Sequence, residues 1–180
     1  MLMDKATIQT TTVNPRHIGE QQFSEFLRLT AFPNLLEELK GQALETIGFL
    51  TKHATRAIEY PWAAHQLESR GVRTAVDVGA GVSPLPLRLA SRGIKVTTVD
   101  YSRNVRALKD REKWTEWGFL DYSLLDPSIS SYNKPLSKVD LEAGSLDAFY
   151  CISVIEHIDC LAKPQVIQKT WMPILRGLAT

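Results

Sequence analysis

The sequence has few cysteines, no excess of charge and no long apolar run, and each shortage excludes a class of protein. Its 180 residues include two cysteines, Cys151 and Cys160, too few for a disulfide framework, so we expect reduced thiols in a cytoplasmic protein. Lys and Arg number 21 against 20 Asp and Glu, which argues against a nucleic-acid binder that works through bulk positive charge. No segment approaches the roughly 18 apolar residues of a membrane span, and Met1 to Thr12 lacks the apolar core of a signal peptide.

Hydrophobic residues nevertheless make up 44% of the chain, enough for a folded core in a chain of one-domain length. In the first third, apolar residues recur at spacings of three and four. This pattern predicts a helix over 21–32 and a long amphipathic helix from Leu36 to Ala57. Tyr60-Pro61-Trp62 is interpreted as a turn before a short further helix. Residues 1–65 are therefore interpreted as an N-terminal helical cap.

From residue 74 the pattern alternates between strand and helix. The predicted elements are a strand, a helix, a strand and a helix, at Thr74–Val78, Pro84–Ala90, Ile94–Val99 and Ser102–Trp117. Trp114 and Trp117, three residues apart on the last of these helices, are interpreted as a packing ridge, and the alternative is a base-stacking platform. Parallel strands joined by right-handed crossovers follow from this order, so we predict an α/β sheet flanked by helices.

The later strands are less regular in sequence. A short strand is expected either over 119–121 or over 137–141. Residues Ala148 to Ile155 form the most apolar run of the chain. A continuous apolar strand is typical of a central parallel strand that is buried on both faces.

A glycine turn, Gly79-Ala80-Gly81, separates the first predicted strand from the first crossover helix. Glycine permits positive φ and lets a ligand lie against the main chain with no Cβ in the way. Asp100 follows the second strand, where a carboxylate can accept hydrogen bonds from both hydroxyls of a ribose. The alternative is that Asp100 only caps the next helix. The turn and the acid together predict a nucleoside-binding site.

Two residues beside the turn help to identify the class of nucleoside that the predicted site binds. A dinucleotide fingerprint has a third small residue where this chain has Pro84, and proline fills the space that a third glycine leaves open. Asp77 adds a negative charge close to the turn, which disfavours a pyrophosphate. We therefore favour a ligand that carries an ammonium or sulfonium charge.

Three segments resemble successive motifs of class I S-adenosylmethionine-dependent methyltransferases. They are Val-Asp-Val-Gly-Ala-Gly at 76–81, Val-Asp at 99–100 and Leu-Asp-Ala-Phe-Tyr-Cys-Ile-Ser-Val-Ile-Glu-His-Ile at 146–158. The resemblance covers about Tyr60 to Leu175. It implies a Rossmann-like α/β domain over 66–180 that binds S-adenosylmethionine and methylates a small-molecule acceptor, with 1–65 as a helical extension.

The resemblance also implies roles for single residues. Asp77, Gly79 and Gly81 would line the methionine part of the cofactor, and Ala80 between the two glycines would also bind the cofactor. Asp100 would hold the ribose, Tyr101 would pack near the adenine, and Ile155 would border the methyl-transfer pocket. Glu156 and His157 are candidate acid–base residues, against the alternative that they line the pocket without proton transfer. The acid that touches the adenine amino group stays open among Asp121, Asp126 and Asp140.

The chain ends at Thr180, whereas members of this family continue for several more strands. We therefore expect a truncated domain whose incomplete sheet has an exposed hydrophobic edge, covered by a second copy or by a partner chain. The early end also favours the alternative of a non-catalytic cofactor-binding or interaction module. A weaker alternative is an NAD-dependent oxidoreductase, which has to accommodate Pro84. No metal site is expected at Cys151, His157 and Cys160, because their spacing matches no zinc pattern.

Overall fold

A computed structural model of the chain describes residues 18–142 and 144–154. Three helices come first: α1 (Glu20–Leu29), α2 (Pro33–Thr46) and α3 (Ala54–Ser69). Each buries one apolar stripe and leaves its polar face in solvent, as amphipathic spacing requires. Within the described ranges, no helix combines the length and the apolar character needed to cross a bilayer.

The predicted long helix from Leu36 to Ala57 is wrong, because the chain folds there into α2 and α3. Gly48 ends α2 with a φ of +86°, and its N–H and that of Ile47 both donate to the carbonyl of Ala43. Ile47 is nevertheless almost fully buried. The spacing of three and four thus predicted burial correctly in a connection that is not helical.

The turn predicted at Tyr60-Pro61-Trp62 is also wrong, since α3 runs through Pro61. A proline inside a helix costs about 3 kcal/mol relative to alanine. Burial of the surrounding side chains offsets this cost: Pro61 itself, Ala64 and Leu67 are all buried. The predicted boundary between residues 65 and 66 falls inside this continuous helix.

The structure confirms the predicted α/β fold with a parallel sheet and packed helices. Its four strands are β1 (Thr74–Val78), β2 (Lys95–Asp100), β5 (Ser130–Asn133) and β6 (Ala148–Tyr150), in the order β5-β2-β1-β6. All neighbours are parallel, and Asp77 pairs with Tyr150 as Asp100 pairs with Asn133. The carboxyl ends of all four strands therefore lie at one edge of the sheet, and those of β2 and β6 lie on either side of the end of β1.

Two cores lie on opposite faces of this sheet, because successive side chains of a strand point to opposite sides. Val76 and Val78 pack with Leu136 on one face. Ala75 packs on the other face with the buried residues of the four α-helices. Asp77 follows Ala75 by two residues and so belongs to the helix side.

The first connection contains α4 (Leu85–Ser91), close to the predicted Pro84–Ala90. Arg88 of this helix is buried, with 8% of its surface exposed. It forms ion pairs with Glu38 of α2 and Glu68 of α3. Because a buried charge is costly without partners, these pairs fix the N-terminal helices against the sheet.

The second connection, over 101–129, differs from prediction. The helix expected from Ser102 is wrong: the chain forms β3 (Val105–Arg106), a 3₁₀ helix (Leu108–Lys113) and β4 (Phe119–Leu120), and β3 pairs with β4. The Ser102 hydroxyl accepts the Asn104 N–H in a local turn instead of capping a helix. Of the two short strands weighed, the one near 119–121 is present, and the other segment begins within a 3₁₀ helix.

Two strands of the main sheet depart from expectation. Strand β5 was not predicted, since Ser130-Ser131-Tyr132-Asn133 is polar and half exposed at the sheet edge. Strand β6 ends at Tyr150, whereas the apolar run predicts a strand through Ile155, which lies outside the described residues. Over the described ranges β6 pairs with β1 alone.

Candidate functional site

A cavity of about 390 Å³ opens at the carboxyl ends of β1, β2 and β6. Six of the residues predicted to hold the cofactor line it: Asp77, Gly79, Ala80, Gly81, Asp100 and Tyr101. The seventh, Ile155, and the acid–base candidates Glu156 and His157 lie outside the described residues. The topology thus brings the glycine turn and the acid after β2 into one cavity, and their roles toward a cofactor stay predictions.

Both glycines of the turn are required by close packing as well as by conformation. Gly79 and Gly81 have φ of +74° and +52°. A Cβ on Gly79 would overlap the side chain of Val154, and one on Gly81 would lie 2.5 Å from the carbonyl oxygen of Glu116. Glycine is therefore required at both positions, because the segment after β6 and the second connection lie too close to the turn for a residue with a Cβ.

Most N–H groups of the turn are used inside the protein. Four hydrogen bonds are formed: Gly79 to the Val99 carbonyl (2.7 Å), Gly81 to the Asp100 Oδ2 (2.9 Å), Val82 to the Glu116 carbonyl (3.0 Å) and Ser83 to the Tyr122 hydroxyl (2.8 Å). Pro84, which follows, has no N–H to offer. The turn is therefore a fixed wall of the cavity, with few donors left for a phosphate.

Tyr122 is a positioning residue that the sequence analysis missed. Its side chain is fully buried, and its hydroxyl accepts the Ser83 N–H while lying 3.1 Å from the carbonyls of Gly81 and Ser83. Burial raises the pKa of Tyr122, so the hydroxyl keeps its proton and can donate to one of these carbonyls. No local pattern marks this residue, because its partners lie about forty positions earlier in the sequence.

Asp100 meets the turn directly. Its Oδ2 accepts the Gly81 N–H, and its Oδ1 accepts the Tyr101 N–H at 2.6 Å. Burial raises the pKa of Asp100, and these two hydrogen bonds act in the opposite direction. A carboxylate has about four acceptor positions, so each oxygen keeps one for a ligand hydroxyl.

Asp77 is a more deeply buried acid, with only 4% of its surface exposed. Burial raises the pKa of Asp77 to about 8, the nearby Tyr150 hydroxyl opposes the rise, and the charge of Asp100 adds to it. Tyr150 approaches Asp77 without completing a hydrogen bond of regular geometry, so its buried hydroxyl has no partner in the described chain. Asp77 is therefore largely protonated at neutral pH while no cation lies beside it.

Two exposed aromatic side chains stand on the β2 side of the cavity. Tyr101 is 73% exposed and Trp117 is 59% exposed, and both line the opening. The interpretation of Trp114 and Trp117 as one packing ridge is right for Trp114, which is fully buried, and wrong for Trp117. Since the chain there is not α-helical, the spacing of three does not place the two rings on one face.

The β6 side of the cavity has a charged residue from the helical region. Arg56 of α3 lines the cavity, and its Nη1 donates to the Glu59 carboxylate and to the Ser153 hydroxyl. Ser153 has a φ of +49°, an unusual conformation for a residue with a side chain. No local pattern points to a role for Arg56 here, because it lies within residues 1–65, which the sequence pattern indicates as a separate helical cap.

None of the three acids considered for the adenine lines the cavity. Asp121 accepts the Ser123 N–H at a 3₁₀ helix, and Asp126 accepts the Ser128 N–H in the next turn. Asp140 also lies away from the lining. Asn133 instead ends β5 beside Asp100 and exchanges two hydrogen bonds with the backbone of Ser102.

Comparison with known proteins supports a family assignment. No curated protein and no solved structure matches the chain. A family model described as a methyltransferase domain matches residues 76–176, more than half of the chain. The match begins on β1 and includes the glycine turn, Asp100 and β6. The chain therefore belongs to the methyltransferase-domain family of class I S-adenosylmethionine-dependent methyltransferases.

Proposed function

We propose that the chain binds S-adenosylmethionine in this cavity and transfers its methyl group to a small-molecule acceptor. One observation carries the proposal: the Asp100 carboxylate and the glycine turn meet at the Gly81 N–H, at the edge of an open cavity. An acid and a bare turn in contact at the ends of adjacent parallel strands are the parts that a nucleoside site requires.

The adenosine part of the ligand fits the β2 side. Each Asp100 oxygen keeps an acceptor position, enough for the two ribose hydroxyls. Tyr101 and Trp117 stand exposed at the same side, and aromatic rings of this kind can pack against a purine. The exposed position of these rings is explained if the adenine covers them.

The methionine part fits the glycine turn and the buried acid beside it. Gly79, Ala80 and Gly81 line the cavity, and the two glycines let Val154 and the Glu116 carbonyl pack against the turn beside it. Asp77 offers a carboxylate that a positively charged ligand group would favour in its ionised form. When bound, S-adenosylmethionine supplies an electrophilic methyl group on a sulfonium, and loss of that group leaves S-adenosylhomocysteine.

The chain itself contributes alignment and exclusion of water. Methyl transfer to a nucleophile needs the two partners held in line, and a preformed cavity wall supplies that order. Tyr122 and the Glu116 carbonyl hold the turn through hydrogen bonds, so the wall does not have to form on binding. Proton removal by Glu156 or His157 remains a prediction.

The geometry argues against the NAD-dependent oxidoreductase but does not distinguish a non-catalytic module from an enzyme. A dinucleotide needs free N–H groups for its pyrophosphate, whereas those of Gly81, Val82 and Ser83 are bonded within the protein. This favours S-adenosylmethionine over NAD. A non-catalytic module would bind the cofactor with the same wall, so only turnover distinguishes it from an enzyme.

Isothermal titration calorimetry with S-adenosylmethionine and with NAD tests the cofactor. We expect binding of S-adenosylmethionine alone, and Asp100→Asn to weaken it by about 10- to 100-fold through loss of charge-assisted hydrogen bonds to the ribose. Asp110→Asn, the same change at the surface ion pair with Lys113, is the matched control and leaves the affinity unchanged. Binding of NAD alone would overturn the proposal.

Turnover and the remaining expectations need separate measurements. Formation of S-adenosylhomocysteine with a panel of small nucleophilic acceptors supports an enzyme, and cofactor binding without product supports the non-catalytic module. A cytoplasmic location is part of the proposal, supported by the low number of cysteines. Cover of the β6 edge by a second copy or a partner also stays a proposal, which light scattering of the purified chain tests.

A further inference from the structure

The cavity has an uneven distribution of charge. Three acids line it, Asp77, Asp100 and Glu116, and among the described lining residues Arg56 is the one cation. Asp77 is largely protonated at neutral pH, so Asp100 and Glu116 are the acids that would repel an anionic group of a ligand, whereas Arg56 would attract it. Among the described lining residues, Arg56 is therefore the group that can attract a ligand anion.

Arg56 is held in place but retains hydrogen-bonding capacity. Its side chain is 13% exposed, and its Nη1 carries both contacts, to Glu59 and to Ser153. The ring of Tyr60 lies 5.9 Å from the guanidinium carbon. Within the described chain, Nε and Nη2 donate to no acceptor, although a guanidinium presents five N–H groups in a fixed fork. A planar acceptor such as a carboxylate matches the unused part of that fork.

The strand order sets the direction of the ligand. Asp100 ends β2, the glycine turn ends β1, and Ser153, which contacts Arg56, follows β6. Since the sheet runs β2-β1-β6 through this region, a ligand whose ribose lies at Asp100 crosses the turn toward Arg56. Its far end is the amino-acid end, which carries a carboxylate.

We propose that Arg56 binds the amino-acid carboxylate of the cofactor, which makes α3 part of the cofactor site. This inference rests on the proposed function. Arg56 lies before residue 76, where the match to the methyltransferase-domain family begins, so the family match does not assign it. The N-terminal helices would then complete the binding site, with Glu59 and Ser153 orienting the guanidinium.

The test compares two ligands that differ by the carboxylate alone: S-adenosylmethionine and its decarboxylated form, S-adenosyl-3-methylthiopropylamine. Titration calorimetry measures both on the full chain and on Arg56→Gln. We expect the substitution to weaken S-adenosylmethionine by about 10- to 100-fold and the decarboxylated ligand by less than about threefold. The control, Arg28→Gln, makes the same change on an exposed arginine of α1 and leaves both affinities unchanged.

The outcomes separate the two levels of proposal. No binding of S-adenosylmethionine to the unchanged protein overturns the proposed function and this inference with it. Binding that Arg56→Gln leaves unaffected, or an equal loss for both ligands, overturns the inference alone. If Arg56→Gln does not fold, Arg56→Lys retains the charge without the fork, and we expect a smaller loss that is again confined to the ligand with the carboxylate.

Discussion

The two connections that cross between neighbouring parallel strands are built in different ways. The first joins β1 to β2 through α4, a short and mostly buried helix, as a crossover of parallel strands usually does. The second joins β2 to β5 with no α-helix, and uses two short paired strands and 3₁₀ turns over 101–129. The two crossovers therefore depend on different interactions. The first depends on a locally encoded helix, and the second depends on specific long-range contacts.

The irregular connection is also the one that shapes the cavity. It places the Glu116 carbonyl and the Tyr122 hydroxyl against the glycine turn of the first connection, and it presents Trp117 at the opening. A segment without regular structure can direct a single side chain or carbonyl at a site, whereas a helix presents a whole face of side chains. The regular connection thus supports the sheet, while the irregular one supports the site.

The largest expected effect separates the two tryptophans of the second connection. Trp114 is fully buried and donates its Nε1–H to the Ala107 carbonyl, so Trp114→Ala should lower the free energy of unfolding by about 3–5 kcal/mol. Trp117→Ala, at an exposed ring, should change it by less than about 1 kcal/mol. Chemical denaturation measures both.

Ligand binding sharpens this contrast. We expect Trp117→Ala to fold normally and to lose affinity for S-adenosylmethionine, because the adenine would lose its aromatic contact. Equal destabilisation by the two substitutions would show that Trp117 belongs to the core after all. An unchanged affinity in Trp117→Ala would show that the Trp117 ring does not contact the adenine.

A smaller effect tests the contact between the two connections. Gly81→Ala would force a residue with φ of +52° to accept a Cβ 2.5 Å from the Glu116 carbonyl oxygen. Gly71→Ala has a similar φ of +67° with open space around it. We expect a loss of unfolding free energy of about 2–4 kcal/mol at Gly81 and about 1 kcal/mol at Gly71, since both carry the conformational cost and Gly81 adds the collision.

Thermal unfolding of the two alanine variants decides between packing and conformation. Similar shifts in Tm would mean that the Glu116 carbonyl moves away readily and that the connections are not coupled. A larger shift at Gly81, together with loss of S-adenosylmethionine binding, would show that the second connection holds the turn.

The same contrast explains how much could be predicted from the sequence. Strand β1, the turn, α4 and β2 follow from local periodicity and glycine, and Asp100 could be placed beside the turn because parallel strands end at one edge. Tyr122, Glu116 and Arg56 act across long sequence separations, which no local pattern encodes. The polar edge strand β5 was missed for a similar reason, since its pairing with β2 rather than its composition makes it a strand.

The smallest expected effect concerns the acid that precedes the first connection. Burial raises the pKa of Asp77 to about 8, so the ligand-free protein holds a proton there at neutral pH. A positively charged ligand group favours the ionised carboxylate, and binding below pH 8 must therefore release that proton. Affinity for S-adenosylmethionine should rise from pH 6 to pH 8, by at most about tenfold per unit, and level off above.

The comparison with Asp77→Asn isolates this effect from any titration of the ligand itself. The amide cannot ionise, so the variant should bind more weakly at pH 8 and lose the rise between pH 6 and pH 8. Calorimetry in two buffers of different ionisation enthalpy would count the proton released. A rise with pH that persists in Asp77→Asn would assign the titration to another group, and the buried acid of β1 would then serve packing with Tyr150 rather than recognition of a cation.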